Sequence, residues 1–378
     1  MKILRTLQTT IAQHLFKGKT IVLVGARQVG KTTLLRNLLR QQSEPFLELN
    51  CDEQEAREAL SGINVERWRR LVGNNKIVLI DEAQRVENIG IALKLGHDNL
   101  SGVQLLVSGS SALGLRDTIN EPLTGRKFEF QLFPIATNEL LQTGGELLAR
   151  QTFESRLIYG SYPDILVNAE DAAARLTSLA NDYLYKDILS LEGIRKPTLL
   201  NKLLVALALQ VGSEVSYNEL GQTVGSDAKT VEKYIDLLEK CFIVFRLQAF
   251  SRNLRTELKR SRKIYFYDNG VRNAVLNNFA PLTLRGDAGA LWENFCVSER
   301  MKENHYAGRY VNAYFWRTTQ QQEMDYIEEQ NGRFRLFEMK WNPKKAKANF
   351  VPDIFKKTYD IEFAKTITPE NYIDELLS

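Results

Sequence analysis

The run GARQVGKTTLL, residues 25 to 35, sets four residues between Gly25 and Gly30 and follows the second with Lys31 and Thr32. The apolar run TIVLV precedes it, and TTLLRNLLRQ follows with apolar residues at helical spacing. Strand, glycine turn and helix in that order aim several backbone N–H groups at one point, and a helix N-terminus there favours negative charge. The residue types and spacing predict a phosphate cradle. Lys31 would bridge the β- and γ-phosphates and the Thr32 hydroxyl would hold magnesium, with Thr33 beside it, so ATP and magnesium are the expected cofactors. A second run, KIVLIDEAQ, is a buried strand ending in Asp81 and Glu82. Asp81 can hold the magnesium shell, and Glu82 can orient or deprotonate the attacking water, which makes hydrolysis the expected outcome of binding.

Two more positions belong to the same chemistry. VQLLVSGSSA is a third apolar strand with polar residues at its end, where Ser108, or failing that Ser110, would sense the γ-phosphate. LTGRKFEF places Arg126 directly before a fourth strand. An arginine there can enter a neighbouring subunit's nucleotide site as a finger and stabilise charge in the transition state.

The elements that must position these residues are short strands alternating with helices over residues 20 to about 135, which predicts an α/β layer with a mainly parallel sheet. Residues 136 to 195 read as helical with a turn at YGSYPD, and NFAPLTLRGDAG has the Pro and Gly content of a linker.

GARQVGKTTLL, IVLIDEAQ, LLVSGSSA, LTGRKFEF with LFPIATNEL, and GSYPDIL together resemble the AAA+ ATPase superfamily. Within it they are similar to a bacterial and archaeal family that joins such a domain to a C-terminal domain of formerly unknown function. The resemblance covers nearly the whole chain. It implies an α/β multidomain protein with a P-loop AAA+ core at residues 1–140, a helical lid at 141–196, a winged helix at 197–270 and a restriction-endonuclease-like α/β domain at 285–378. It also implies assembly into a homo-oligomer. In relatives a turn in the lid lies near the adenine; Gly160 and Pro163 occupy such a turn here, with one extra residue between them.

The helix after GSD starts at a Ser226 or Asp227 cap, and Val231, Tyr234, Ile235 and Leu238 recur at helical spacing. Its other face carries Lys229, Lys233 and Lys240, opposed by Glu232, Asp236 and Glu239. SRNLRTELKRSRK then brings six basic residues, Arg252, Arg255, Lys259, Arg260, Arg262 and Lys263, against one glutamate. Beside a helix-turn-helix pattern this predicts contact with the backbone of duplex or branched DNA rather than with base edges.

Further on, Glu293 lies on a helix, Asp325 on a strand and Glu338 with Lys340 on the next strand, on one face. The group resembles the metal site of restriction-endonuclease-like folds, although Glu323-Met324 stands before Asp325 where that pattern has Pro-Asp. Asp325 and Glu338 would bind magnesium, Lys340 would position or activate water, and Glu293 would complete the shell or orient a ligand. Such domains also keep the fold for binding alone, and DNA binding without cleavage is the expectation.

The chain's 378 residues exceed one ordinary core. Fifty basic and 46 acidic residues leave a net charge of +4, too small to name a partner. Cys51, Cys241 and Cys296 are odd in number and far apart, which argues against a disulfide framework or a zinc site and suits a reducing cytoplasm. The first residues lack an apolar core of signal length, and no run is long enough to span a bilayer. Two functions fit: an ATPase acting on DNA, or a nucleotide-dependent signalling switch whose C-terminal half binds protein.

Overall fold

The computed structural model describes residues 3–110, 119–182, 196–251, 262–318, 322–346 and 349–377. The chain divides into two compact units, one running from Leu4 to Pro134, the other formed by Ile135–Glu239 and Ile243–Ser378.

In the first unit β1 (Thr20–Gly25), β2 (Phe46–Asn50), β3 (Ile77–Asp81), β4 (Gln104–Gly109) and β5 (Lys127–Leu132) form one sheet in the order β2-β3-β4-β1-β5. Every pairing is parallel. β1, β3 and β4 are buried along their whole length, as unbroken Val, Ile and Leu runs must be when both faces of a parallel sheet are covered. The chain leaves β1 through helix Lys31–Leu39 and re-enters the sheet at its edge, skipping β4 and β3. Ligands of open α/β sheets bind outside the carboxyl ends of strands at such a crossing, because helix N-termini gather there.

The second unit begins with helices Thr137–Gln151, Phe153–Tyr159, Pro163–Val167 and Ala172–Asp182. Helices Pro197–Leu209, Tyr217–Val224 and Ala228–Lys240 follow, around the two-residue strand β6 (Glu214–Val215). Ser216 caps the second of these by accepting from Glu219 N. Asp227, not Ser226, caps the third, accepting from Thr230 N at 3.0 Å. Val231, Tyr234, Ile235 and Leu238 are buried, as their spacing requires. β7 (Val244–Ala249) and β8 (Arg262–Phe266) then pair antiparallel.

These strands do not end a separate domain. β7 also pairs in parallel with β9 (Asn312–Arg317), through Gln248↔Tyr314 and Ala249↔Phe315. β9 continues into β10 (Glu323–Gln330), β11 (Arg333–Met339) and β12 (Asp360–Ile367), giving one seven-stranded sheet in the order β12-β11-β10-β9-β7-β8-β6. Asn331 and Gly332, both at positive φ, close the β10–β11 hairpin, the two-residue turn whose twist suits paired strands. Helix Ala288–Tyr306 packs on β8, where Asn294 accepts from Phe266 N (2.7 Å) and donates to its carbonyl (3.1 Å). The segment expected to be a linker is held in place: Arg285 donates to Asp287 (2.8 Å) and to Asn273 (2.9 Å), and Arg272 pairs with Asp287 at 2.6 Å. Hydrogen bonds from Arg285 first, then Arg272, hold the Asp287 carboxyl well below the usual carboxylate range. Pro and Gly predict a break in regular structure, and the arginines nevertheless fix it. Among the described residues no helix is long and apolar enough to cross a membrane.

Candidate active site

Gly25 ends β1 against β5; a Cβ there would lie 2.3 Å from the Leu132 carbonyl oxygen, so only glycine lets the chain turn at this point. Gly30, with φ 97° and ψ 24°, opens helix Lys31–Leu39 in a conformation that favours glycine. Lys31 Nζ is held inside the loop by the carbonyls of Gly25 (3.0 Å) and Ala26 (2.9 Å).

Asp81, the buried last residue of β3, is the hub. Its Oδ2 accepts from Thr32 Oγ1 at 2.7 Å, and its Oδ1 accepts from Ser108 Oγ and from Glu82 N at 3.1 Å. A hydroxyl and a carboxylate oxygen side by side suit a hard cation such as magnesium, which takes oxygen ligands and keeps its waters. Glu82 follows in a left-handed conformation (φ 51°) that turns its side chain off the strand. Its carboxylate accepts from Gln84 Nε2, which also donates to Ser110 Oγ at 3.0 Å.

Ser108 lies beside Asp81. It is fully buried and its Oγ donates to Asp81 Oδ1. Its place inside β4, one residue short of the strand's end, puts it within the sheet. Arg126 precedes β5, and Thr20 N donates to its carbonyl at the start of β1. With parallel register from Thr20↔Lys127 to Gly25↔Leu132, that is the sheet end opposite the phosphate loop, about 17 Å away at ~3.3 Å per residue. Its side chain pairs with Asp98 at 2.8 Å.

Gly160 and Pro163 belong to the second unit. Gly160 has φ +77°, and a Cβ there would fall 1.8 Å from Asp268 Oδ1. Asp268 accepts from Ser161 N (2.7 Å) and caps the helix Asn269–Val275 through Gly270 N (2.9 Å), while Pro163 opens its own short helix. Nearby, Glu299 accepts from Thr137 N (2.6 Å) and pairs with Lys302 (2.7 Å) and Arg156 (3.2 Å), all buried. Burial alone would raise the Glu299 carboxyl; Lys302 and Arg156 outweigh it and bring it down to about 2.

On helix Ala228–Lys240 the acidic residues are taken. Arg246 of β7 pairs with Asp236 at 2.5 Å and with Glu239, and Arg262 of β8 pairs with Glu232 at 3.6 Å while lying over the Tyr217 ring. Lys229 and Lys233 are exposed, with no ion-pair partner among the described residues. Arg252, Arg255, Lys259 and Arg260 lie outside the described residues.

Lys263, expected to face DNA, is 2% exposed and pairs with Glu293 (3.0 Å) and Glu323 (2.7 Å). Second in β8, it points into the sheet's covered face, where the alternation of a strand places it. Glu293 accepts from Tyr265 Oη (2.7 Å) and Lys263; burial raises its carboxyl against the lysine's pull, and the charge of Asp325 raises it further. The register Tyr326↔Phe337 does bring Asp325 beside Glu338. Lys340 lies 3.0 Å from Glu338 and 3.7 Å from Asp325, and Asp325 also accepts from Met339 N at 2.8 Å. Glu338 Oε2 is buried with no hydrogen-bond partner. Two carboxylates with one orphaned oxygen fit a magnesium ion that completes its shell with water and phosphate. No three acidic, histidine or cysteine side chains converge as a metal group among the described residues.

Residues 17–141 match the family model described as AAA domain. That match supports an AAA-type ATPase. Residues 150–282 and 288–369 match two models described as domains of unknown function, DUF8612 and DUF4143. An uncharacterized protein of Mycobacterium tuberculosis is 26% identical over 87% of this chain and 72% of its own length. One from Haemophilus influenzae is 27% identical over 68% of each. Among solved structures, a Walker-type ATPase of Pyrococcus abyssi covers 72% of this chain and 94% of its own at 16% identity and a TM-score of 0.49. The Aeropyrum pernix Orc1 protein in complex with DNA covers 73% and 93% at 16% identity and 0.36. Both scores fall below one half, too low for either likeness to bear on mechanism.

Four residues of these sites escaped sequence reasoning. Gln84 carried the faintest signal, two places after Glu82. Arg246, Tyr265 and Glu323 act through side-chain contacts between elements that no local pattern announces.

Proposed function

We propose that this chain hydrolyses ATP to drive an action on duplex or branched DNA, held through its phosphate backbone by the second unit. One observation carries the DNA part: Arg246 and Arg262 neutralise the acidic residues of helix Ala228–Lys240, leaving Lys229 and Lys233 as its outward charge. Free acidic residues on that helix would speak against DNA and for a protein-binding switch, and that argument weakens once they are paired. Arg262, of the basic run that starts at Arg252 in the sequence, lies on the strand beside this helix. Contacts of this kind bind backbone without reading sequence.

At the nucleotide, the loop N–H groups and Lys31 would hold the β- and γ-phosphates. Thr32 and Asp81 would hold magnesium, which when bound neutralises charge on the phosphate oxygens. Ser108 keeps the Asp81 carboxylate turned toward Thr32. Glu82 takes the proton from the attacking water. Arg126 acts on a neighbouring subunit's nucleotide in a homo-oligomer; leaving Asp98 costs little, since exposed ion pairs contribute about 1 kcal/mol at most. Asp325, Glu338 and Lys340 would hold a cation at a DNA phosphate, in a domain used for binding rather than cutting.

The test is ATP turnover and binding measured with single-stranded, duplex and branched DNA. Stimulation by at least one of them, lost in Lys31→Ala, is expected. Turnover indifferent to all three, with no DNA binding, replaces this reading with the signalling switch.

A further inference from the structure

Gln84 makes a bridge that neither the phosphate loop nor the strand-end acids explain. Its Nε2 carries two hydrogens, and both are used: one donates to Glu82 Oε2, the other to Ser110 Oγ at 3.0 Å. This fixes the amide's orientation, because the flipped rotamer would set a carbonyl oxygen against the Glu82 carboxylate. The consequence falls on the other end of the amide. Among the described residues, Gln84 Oε1 is buried and has no hydrogen-bond partner. A buried acceptor left unpaired is unfavourable and wants a donor.

We propose that Gln84 is a catalytic residue of the ATPase, its Oε1 accepting one hydrogen of the attacking water while Glu82 accepts the other. Two acceptors on adjacent side chains take both water hydrogens and leave an oxygen lone pair to face the γ-phosphorus. A bond then forms from water oxygen to γ-phosphorus as the bond from γ-phosphorus to the bridging oxygen breaks. ADP leaves with that electron pair, and the proton lost by water goes to Glu82. Ser110 does not touch the water; it is a positioning residue that holds the Gln84 amide in the orientation this requires. Orientation by a neutral amide suits phosphoryl transfer, where placing the nucleophile matters more than strong base chemistry.

The inference rests on the reading of Glu82 as the base, so the two are tested together on the full chain. Gln84→Met keeps length and volume and removes both hydrogen-bonding functions. It should lower kcat by about tenfold or more while leaving the KM for ATP and the affinity for a non-hydrolysable ATP analogue unchanged. Ser110→Ala should cause a smaller loss, and none beyond that of Gln84→Met when the two are combined. If Gln84→Met melts lower than the parent, Gln84→Leu is measured in its place; it also removes the acceptor and carries the same expected loss of kcat. Wild-type kcat in the substituted protein overturns the inference, as do additive effects of the two substitutions or analogue affinity lost in step with kcat. Glu82→Gln separates the readings: if it still turns over ATP, the base assignment itself falls. If it is inactive while Gln84→Met runs at the parental rate, only the role of Gln84 falls.

Discussion

Replacing Lys229 and Lys233 with alanine isolates the electrostatic contact between this chain and DNA from its stability. Both side chains are exposed and unpaired, and alanine is the best helix former, so the helix itself should not weaken. Lys229 stands in the first turn of Ala228–Lys240, which carries no acidic residue. A positive charge there opposes the helix dipole, so Lys229→Ala should hold or slightly raise the melting temperature. Binding should move the other way. Each phosphate contact contributes about 0.9 to the slope of log affinity against log salt on duplex DNA, so two lost contacts flatten it by about 1.8. Over a fourfold rise in salt, from about 50 to about 200 mM, the parent should lose about twelvefold more affinity than the double variant. The loss should be alike for unrelated DNA sequences, since no base edge is involved. Fluorescence anisotropy with labelled duplexes at four salt concentrations measures both slopes. An unchanged slope, in protein that melts like the parent, refutes the assignment of this helix face to DNA.

Three other outcomes follow from the geometry. Lys31→Ala should abolish tight ATP binding, whereas Glu82→Gln should bind ATP and lose turnover; calorimetry and a phosphate-release assay separate them. Arg126→Ala should cut hydrolysis and spare nucleotide affinity, and mixing it with Lys31→Ala protein should restore part of the turnover; an active monomer rules the finger out. Glu299→Gln should destabilise the second unit by about 3–5 kcal/mol in urea unfolding, because it leaves Arg156 and Lys302 buried without their counter-ion. The Glu299 carboxyl is lowered from 4.5 to about 2, so its contribution is full above pH 4.5, fades as pH falls toward 2, and amounts to about 3 kcal/mol at most. The Gln variant should lack that part of the acid dependence, and an unaltered acid profile counts against the buried pair.

What the sequence determined by itself was local. The spacing of Gly25, Gly30, Lys31 and Thr32, and a strand ending in Asp81 and Glu82, are short-range patterns whose geometry follows from strand, turn and helix alone. The buried stripe of Val231, Tyr234, Ile235 and Leu238 was legible for the same reason, since a period fixes a face. Tertiary structure decided every matter that depends on which strand lies beside which. Lys263 read as one more member of a basic run, and only the burial of β8 beneath helix Ala288–Tyr306 turns it toward Glu293 and Glu323. Asp236 and Glu239 read as repelling DNA until β7 brought Arg246 against them. Ser108 and Ser110 read alike from sequence, yet one faces Asp81 inside the sheet and the other meets Gln84 just beyond its end. The wing and the carboxylate-bearing strands read as separate domains, while two residue pairs between β7 and β9 join them in one sheet. Charge and periodicity are properties of a segment; the partner that neutralises a charge or extends a sheet comes from far along the chain, and only folding brings it there.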